Sequence, residues 1–132
     1  MNWAALITWV LTAGGGFVLL AIWLKNGGMR QREGGRIRPA FILSHFALAA
    51  TGLVLWIVFV ATGSNALAWI AFVLLLVVAM IGFSMLGIWI RQRQQRDVAP
   101  AEQRFPVAVV GLHGALAATT LVLVFLAALG VG

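Results

Sequence analysis

The sequence predicts an all-α protein, a membrane four-helix bundle in up-down-up-down order, built as a tandem repeat of a helical hairpin. Three observations carry that expectation. Of the 132 residues, 63% are hydrophobic and 9% charged, whereas soluble domains hold about 25% charged and about 45–50% apolar residues. The apolar residues fall in four runs, each near the roughly 20 residues that a helix needs to cross a bilayer core. Stretches of the first pair of runs also align with stretches of the second pair, the signature of an internal repeat. Helix is the natural form for these runs, because in lipid only helices and closed barrels satisfy every backbone polar group internally.

The first span, residues 3–24, begins at Trp3 and stops before Lys25. Only Met1 and Asn2 precede it, with no basic segment, so it reads as a helix kept in the mature protein and not as a signal peptide. The second span, 39–62, opens at Pro39, and the fourth, 105–129, holds Pro106 in its first turn. Proline suits the start of a helix, where its missing N–H is not needed. The third span, 67–90, follows the short uncharged connection Gly63-Ser64-Asn65. Spans occupy nearly the whole chain, so residues 1–132 are read as a single transmembrane domain with repeat units of about 1–62 and 67–132.

The net charge of +6 has the sign of a nucleic-acid binder, but its distribution points elsewhere. All nine basic residues lie in two connections: Lys25, Arg30, Arg32, Arg36 and Arg38, and then Arg91, Arg93, Arg96 and Arg104. Short basic loops are retained on the cytoplasmic side. Loops 25–38 and 91–104 are therefore expected to be cytoplasmic, with the N- and C-termini outside. The expected partner of these charges is the lipid bilayer, through anionic headgroups, with no nucleic acid. Trp23 and Trp89 are expected at the inner interface and Trp3 and Trp69 at the outer one, as aromatic belts.

The absence of cysteine excludes disulfides, thiolate metal sites, iron–sulfur clusters and covalently attached haem. The acidic residues, Glu33, Asp97 and Glu102, all fall in the loops and are expected to be solvated. With no acid in the spans and no Ser/His/Asp arrangement, hydrolytic chemistry is not expected. The catalytic set is empty, and the chain is read as a carrier or accessory subunit and not as an enzyme by itself. A proton-coupled exporter of the small four-helix type rests on a membrane-embedded glutamate, which the spans lack.

The repeat is clearest around two histidines. His45-Phe-Ala-Leu-Ala-Ala-Thr-Gly-Leu-Val-Leu55 aligns with His113-Gly-Ala-Leu-Ala-Ala-Thr-Thr-Leu-Val-Leu123, with nine of eleven positions identical. Gly16-Phe17 through Trp23 likewise matches Gly82-Phe83 through Trp89. The offset is 66 residues at the glycines and 68 at the histidines. Units with an even number of spans keep the same orientation, so the symmetry expected is a pseudo-two-fold along the membrane normal.

His45 and His113 are the only ionisable side chains within the predicted spans. They lie seven residues after Arg38 and nine after Arg104, or about 10 and about 13 Å along a helix. Both imidazoles thus sit at nearly one depth, on helices that run the same way and lie diagonal in such a bundle. Three uses are open: the two axial ligands of one haem iron, a structural or proton-handling pair, or a non-haem metal site. Gly52, Ala49 and Ala50 follow His45, and Gly111, Gly114, Ala115 and Ala117 surround His113, small residues that admit a flat ring. Arg38 and Arg104 stand on the cytoplasmic side of the histidines, suited to pair with haem propionates. Met85 is a further candidate axial ligand, although methionine is also common core filler. Gly14, Gly15, Gly16, Gly82 and Gly87 are read as helix-packing positions. Thr51, Thr119 and Thr120 are expected to bond back to their own helices.

The two histidines on parallel helices of a four-helix bundle resemble membrane-bound b-type cytochromes. The segments Phe105-Pro106 and His113-Gly114 are also similar to small uncharacterised membrane proteins of high-GC bacteria. The first resemblance implies one haem b held by His45 and His113 as metal ligands, electron transfer as the function, and a quinone or a larger respiratory or redox complex as partner. The second implies the bacterial plasma membrane as location. The rival expectation is a non-catalytic structural or assembly subunit of a larger membrane complex.

Overall fold

The computed structural model describes residues 1–30, 37–95 and 100–132. Arg32, Glu33, Arg36, Arg96 and Asp97, which enter the charge argument above, lie outside the described residues. Four long helices dominate: α1 (Asn2–Lys25), α2 (Pro39–Thr62), α3 (Asn65–Arg93) and α4 (Val107–Ala128). Each is long and apolar enough to cross a membrane. Among the described residues there is no strand, and the all-α bundle expected from the sequence is what the chain forms.

The helix ends follow local chemistry. Pro39 opens α2 as its first helical residue, after an extended Arg38. α2 ends at Gly63, whose φ of 70° is left-handed and whose N–H returns to the Phe59 carbonyl at 2.7 Å. Glycine reaches that conformation without a Cβ penalty, which lets α3 start almost at once, at Asn65. α3 runs on to Arg93, three residues past the expected end at 90, through Arg and Gln residues that favour helix. α4 starts at Val107 instead of 105, because Phe105 and Pro106 are extended and a separate 3-10 helix, Ala101–Arg104, precedes them. A second 3-10 helix, Gly28–Arg30, follows α1.

Neighbouring helices run antiparallel, and the strongest packing is α1 on α4 and α2 on α3, with lighter α3–α4 and α1–α2 contacts. The main partner of every helix therefore belongs to the other hairpin. At the end that carries the chain termini, Trp9, Trp56 and Phe59 are buried with Leu75, Val78 and Val124 in one apolar core. Trp9 and Trp56 stand 6.3 Å apart between ring centroids. Gly52 makes room for Trp9: a Cβ there would meet the indole at 3.0 Å. The repeat-equivalents of Trp9 and Gly52 are Leu75 and Thr120, so the second half replaces a large–small pair with two residues of middle size, a swap that roughly conserves volume.

Outward faces carry large apolar side chains, including Ile7, Leu11, Phe17, Val54, Met80 and Phe83. A belt of this extent suits lipid and not water. Trp3, 67% exposed, and Trp69, 36% exposed, sit on the surface at the end that carries the chain termini. Trp23 and Trp89 do not behave as belt residues: both are buried. The reason is the loop end, where the 3-10 helix Ala101–Arg104 packs over α1 and α3 and the Gly28 backbone lies directly on the Trp23 indole.

The expectation that Glu102 is solvated is also corrected. It is fully buried. Its Oε1 accepts from the Ile37 N–H at 2.9 Å and from Gln92 Nε2 at 3.2 Å. The Trp89 indole N–H donates to the Glu102 carbonyl at 2.8 Å, and Gln103 Nε2 donates to Trp89 O and Gln92 Oε1 at 3.3 and 3.2 Å. This network ties both loop connections into one polar cap. A Cβ at Gly28 would overlap the Trp23 ring. Gly28→Ala is thus expected to cost about 1–3 kcal/mol, as overpacking typically does, seen as a lower unfolding midpoint in detergent together with a red-shifted tryptophan emission.

Candidate haem-binding histidine pair

His45 on α2 and His113 on α4 point into the bundle from diagonal helices, and their imidazoles meet across the centre. The ring centroids are 6.3 Å apart, with the planes at 64°. Both residues are half-buried.

Each ring is oriented by the opposite hairpin. His113 Nδ1 lies 2.9 Å from the Thr12 carbonyl of α1, and His45 Nδ1 lies 3.1 Å from the Val78 carbonyl of α3. A carbonyl only accepts, so both Nδ1 atoms carry the proton and donate. Neutral imidazole then keeps its lone pair on Nε2. Thr12 and Val78 are repeat-equivalents, 66 residues apart, so the two bonds are one interaction used twice.

The glycines explain how an imidazole reaches a carbonyl already inside a helix. A helical side chain leans toward the N-terminus and covers the turn before it. The residues that would cover Thr12 O and Val78 O are four positions on, at Gly16 and Gly82. With no side chain there, the rings occupy the space. A Cβ at Gly16 would lie 3.1 Å from His113 Cε1, and one at Gly82 would lie 3.1 Å from His45 Cε1. Gly15 also faces His113, at 3.5 Å. These three glycines pack against imidazole, whereas Gly14 and Gly87, expected to behave alike, face open space, as do Gly111 and Gly114.

The surroundings are otherwise apolar or internally bonded. Thr51, Thr119 and Thr120 bond back to Ala47, Ala115 and Leu116 as expected. Thr120 Oγ1 also meets Thr12 Oγ1 at 3.3 Å. Beside the pair, Phe17 and Phe46 close edge to face at 5.5 Å; the repeat-equivalent of Phe46 is Gly114, so the α3–α4 side lacks this plug. Met85 is half-buried on α3. Arg38 and Arg104 are both exposed at the loop end.

The donor set fits haem better than a bare metal ion. Among the described residues no three His, Cys, Asp or Glu side chains cluster for a metal, but haem iron takes only two ligands from protein when both axial positions are filled. An imidazole nitrogen bonds a transition metal at about 2 Å, so two imidazoles on opposite sides of one metal hold their centroids about 6 Å apart. The pair observed here meets that spacing. Metal-bound histidine usually donates its second ring N–H to a carbonyl or carboxylate, as both Nδ1 atoms do.

Sequence reasoning reached the two histidines but missed the glycine–carbonyl seats and the buried Glu102. The signal for the seats was the repeated Gly16 and Gly82. For Glu102, no local signal existed. Compared with known proteins, the chain matches no family model, no curated protein and no solved structure.

Proposed function

We propose that this protein is a b-type cytochrome-like electron-transfer protein, or the redox subunit of a larger membrane complex, with one haem ligated by His45 and His113. One observation carries the reading: two repeat-related imidazoles face each other at 6.3 Å, each with Nδ1 bonded to a carbonyl of the other hairpin, which reserves Nε2 for a ligand. When bound, the haem supplies one-electron chemistry, and an iron with both axial positions taken favours electron transfer over oxygen binding.

The chain's own residues have distinct tasks. His45 and His113 would hold the iron. The carbonyls of Thr12 and Val78 fix the tautomer and ring direction, and second-shell bonds of this kind also raise ligand basicity. Gly15, Gly16 and Gly82 admit the rings. The apolar helix faces keep water away, which tunes the potential. Arg38 and Arg104 add positive charge at the loop end for propionates. By the distribution of basic residues, the loops face the cytoplasm of a bacterial plasma membrane and the termini face out. The histidines then lie closer to the cytoplasmic side, and a quinone or a redox complex completes the electron route.

The test is a reduced-minus-oxidised absorbance spectrum of protein purified from haem-replete membranes. A low-spin b-type α-band is expected, and its absence would sink the proposal.

A second reading has an observation in its favour. Both Nδ1 bonds join one hairpin to the other, so the histidines act as latches in a structural or assembly subunit. Interhelical bonds of this type contribute only about 0.6–2 kcal/mol. That reading predicts a protein purified without visible absorbance, whose histidine variants change stability alone.

A further inference from the structure

The four helices form two layers. α1 packs on α4 and α2 on α3, and the layers meet along the lighter α1–α2 and α3–α4 seams. His113 is seated within the first layer, on the Thr12 carbonyl of α1, and His45 within the second, on the Val78 carbonyl of α3. The imidazoles therefore reach toward each other from opposite layers. Axial ligands stand above and below the plane of a haem macrocycle. A macrocycle held by this pair lies between the layers, with its edges toward the two seams.

At the terminal end both seams are fastened. Across α1–α2, Trp9 packs on Trp56, and the Trp56 indole N–H donates to the Asn2 carbonyl at 3.3 Å. Across α3–α4, the Phe125 ring lies 6.3 Å from Trp69 and 5.1 Å from Phe72 between centroids. The loop end is tied by the Glu102 network.

At the level of the histidines the seams differ. Across α1–α2, Phe17 meets Phe46 edge to face. The repeat relation that carries Gly16 to Gly82 and His45 to His113 carries this pair to Phe83 and Gly114. Phe83 is 66% exposed, and a Cβ at Gly114 would meet nothing within 4 Å. Gly87 and Gly111 are equally open, where the first half has Ala21 and Leu43. Phe46 and Gly114 each follow a histidine directly, so the plug on one edge and the gap on the other both stand beside the rings.

We infer that the α3–α4 seam at Phe83 and Gly114 is the lateral entrance through which the planar ligand of His45 and His113 arrives from the bilayer, while Phe17 and Phe46 close the opposite edge. This rests on the haem reading above. Haem is a flat, largely apolar ring that dissolves in lipid. The side chains that flank the seam on the outside of α3, Met80 and Phe83, are apolar and exposed, so the route stays within one kind of solvent. Only the missing side chain at Gly114 distinguishes this edge from the plugged one.

The test mixes purified apo-protein in detergent rapidly with haem. Growth of the Soret band gives the association rate, and transfer of bound haem to excess apomyoglobin gives the dissociation rate. Gly114→Phe rebuilds, opposite Phe83, the aromatic pair of the first edge. It is expected to slow both rates about two- to tenfold, the factor that breaking one edge-to-face pair supplies. Affinity is expected to hold, because a barrier on the route acts alike in both directions. Adding Phe46→Gly to Gly114→Phe opens the other edge and is expected to return both rates toward wild type. Leu112→Phe is the control: Leu112 is 62% exposed and stands about 200° around α4 from Gly114 at nearly the same depth, and its variant is expected to bind at wild-type rates. Should Gly114→Phe fail to fold, Gly114→Leu is read in the same way. No uptake by wild type ends the haem reading and this assignment together. A bis-imidazole spectrum in wild type, with Gly114→Phe no slower than Leu112→Phe, leaves the haem reading standing and overturns the entrance. Weaker affinity at an unchanged association rate overturns it as well, since Gly114 would then touch the bound ring and not its route.

Discussion

His113→Ala and His45→Ala are each expected to abolish the low-spin b-type spectrum while leaving a helical, membrane-inserted protein. The geometry makes the two changes equivalent. On the proposed function each ring would supply one axial nitrogen; each is held by one carbonyl, and each sits on one glycine at 3.1 Å. Loss of either leaves a single imidazole, which cannot fill both axial positions. The stability cost is the loss of one interhelical bond, about 0.6–2 kcal/mol, too little to unfold a bundle packed along four helices. The measurement is haem content per protein alongside far-ultraviolet circular dichroism. A variant that kept the wild-type spectrum would remove that histidine from the site, and unequal effects would break the proposed symmetry.

Gly16→Val and Gly82→Val test the seats of the rings without touching a ligand. A Cβ at either position already falls within 3.1 Å of the imidazole, and valine adds two methyl groups on a stiff side chain. The ring must tilt away, and its Nδ1–H then loses the carbonyl. Loss of such a second-shell partner typically lowers metal affinity about 10–100-fold, and that is the drop expected in haem affinity by titration. Gly14→Val and Gly87→Val are the matched controls. They put the same residue in the same two helices, where a Cβ meets nothing within 4 Å, and are expected to bind haem as wild type does. If the seat variants and the controls behaved alike, the glycine–imidazole contact would have no functional weight.

Much of the site was legible before folding. Run lengths located the four spans within a few residues. The alignment of His45 with His113 placed two rings at one depth, because rise along a helix is fixed at about 1.5 Å per residue. Rotation was another matter. Every helix is apolar all round, so no amphipathic stripe marks an inward face. Gly16 and Gly82 were therefore visible as repeated glycines, but nothing in the periodicity told that they, and not Gly14 or Gly87, would meet imidazole.

Trp23, Trp89 and Glu102 were misjudged for a related reason. Interfacial tryptophan and loop carboxylates are normally wet, and local sequence reports only that prior. Their burial comes from contacts across long separations: Ile37 with Glu102, Gln92 with Glu102, and Gly28 folded over Trp23. By itself the amino-acid sequence determined the number of helices, their positions, the doubled hairpin and the level of the two histidines, since these follow from local composition and fixed helix geometry. Only the tertiary structure decided which faces meet, that each histidine is seated by the opposite hairpin, and that a glutamate caps the bundle. Those outcomes depend on helix–helix packing, and helices equally apolar on every side carry no local record of their partners.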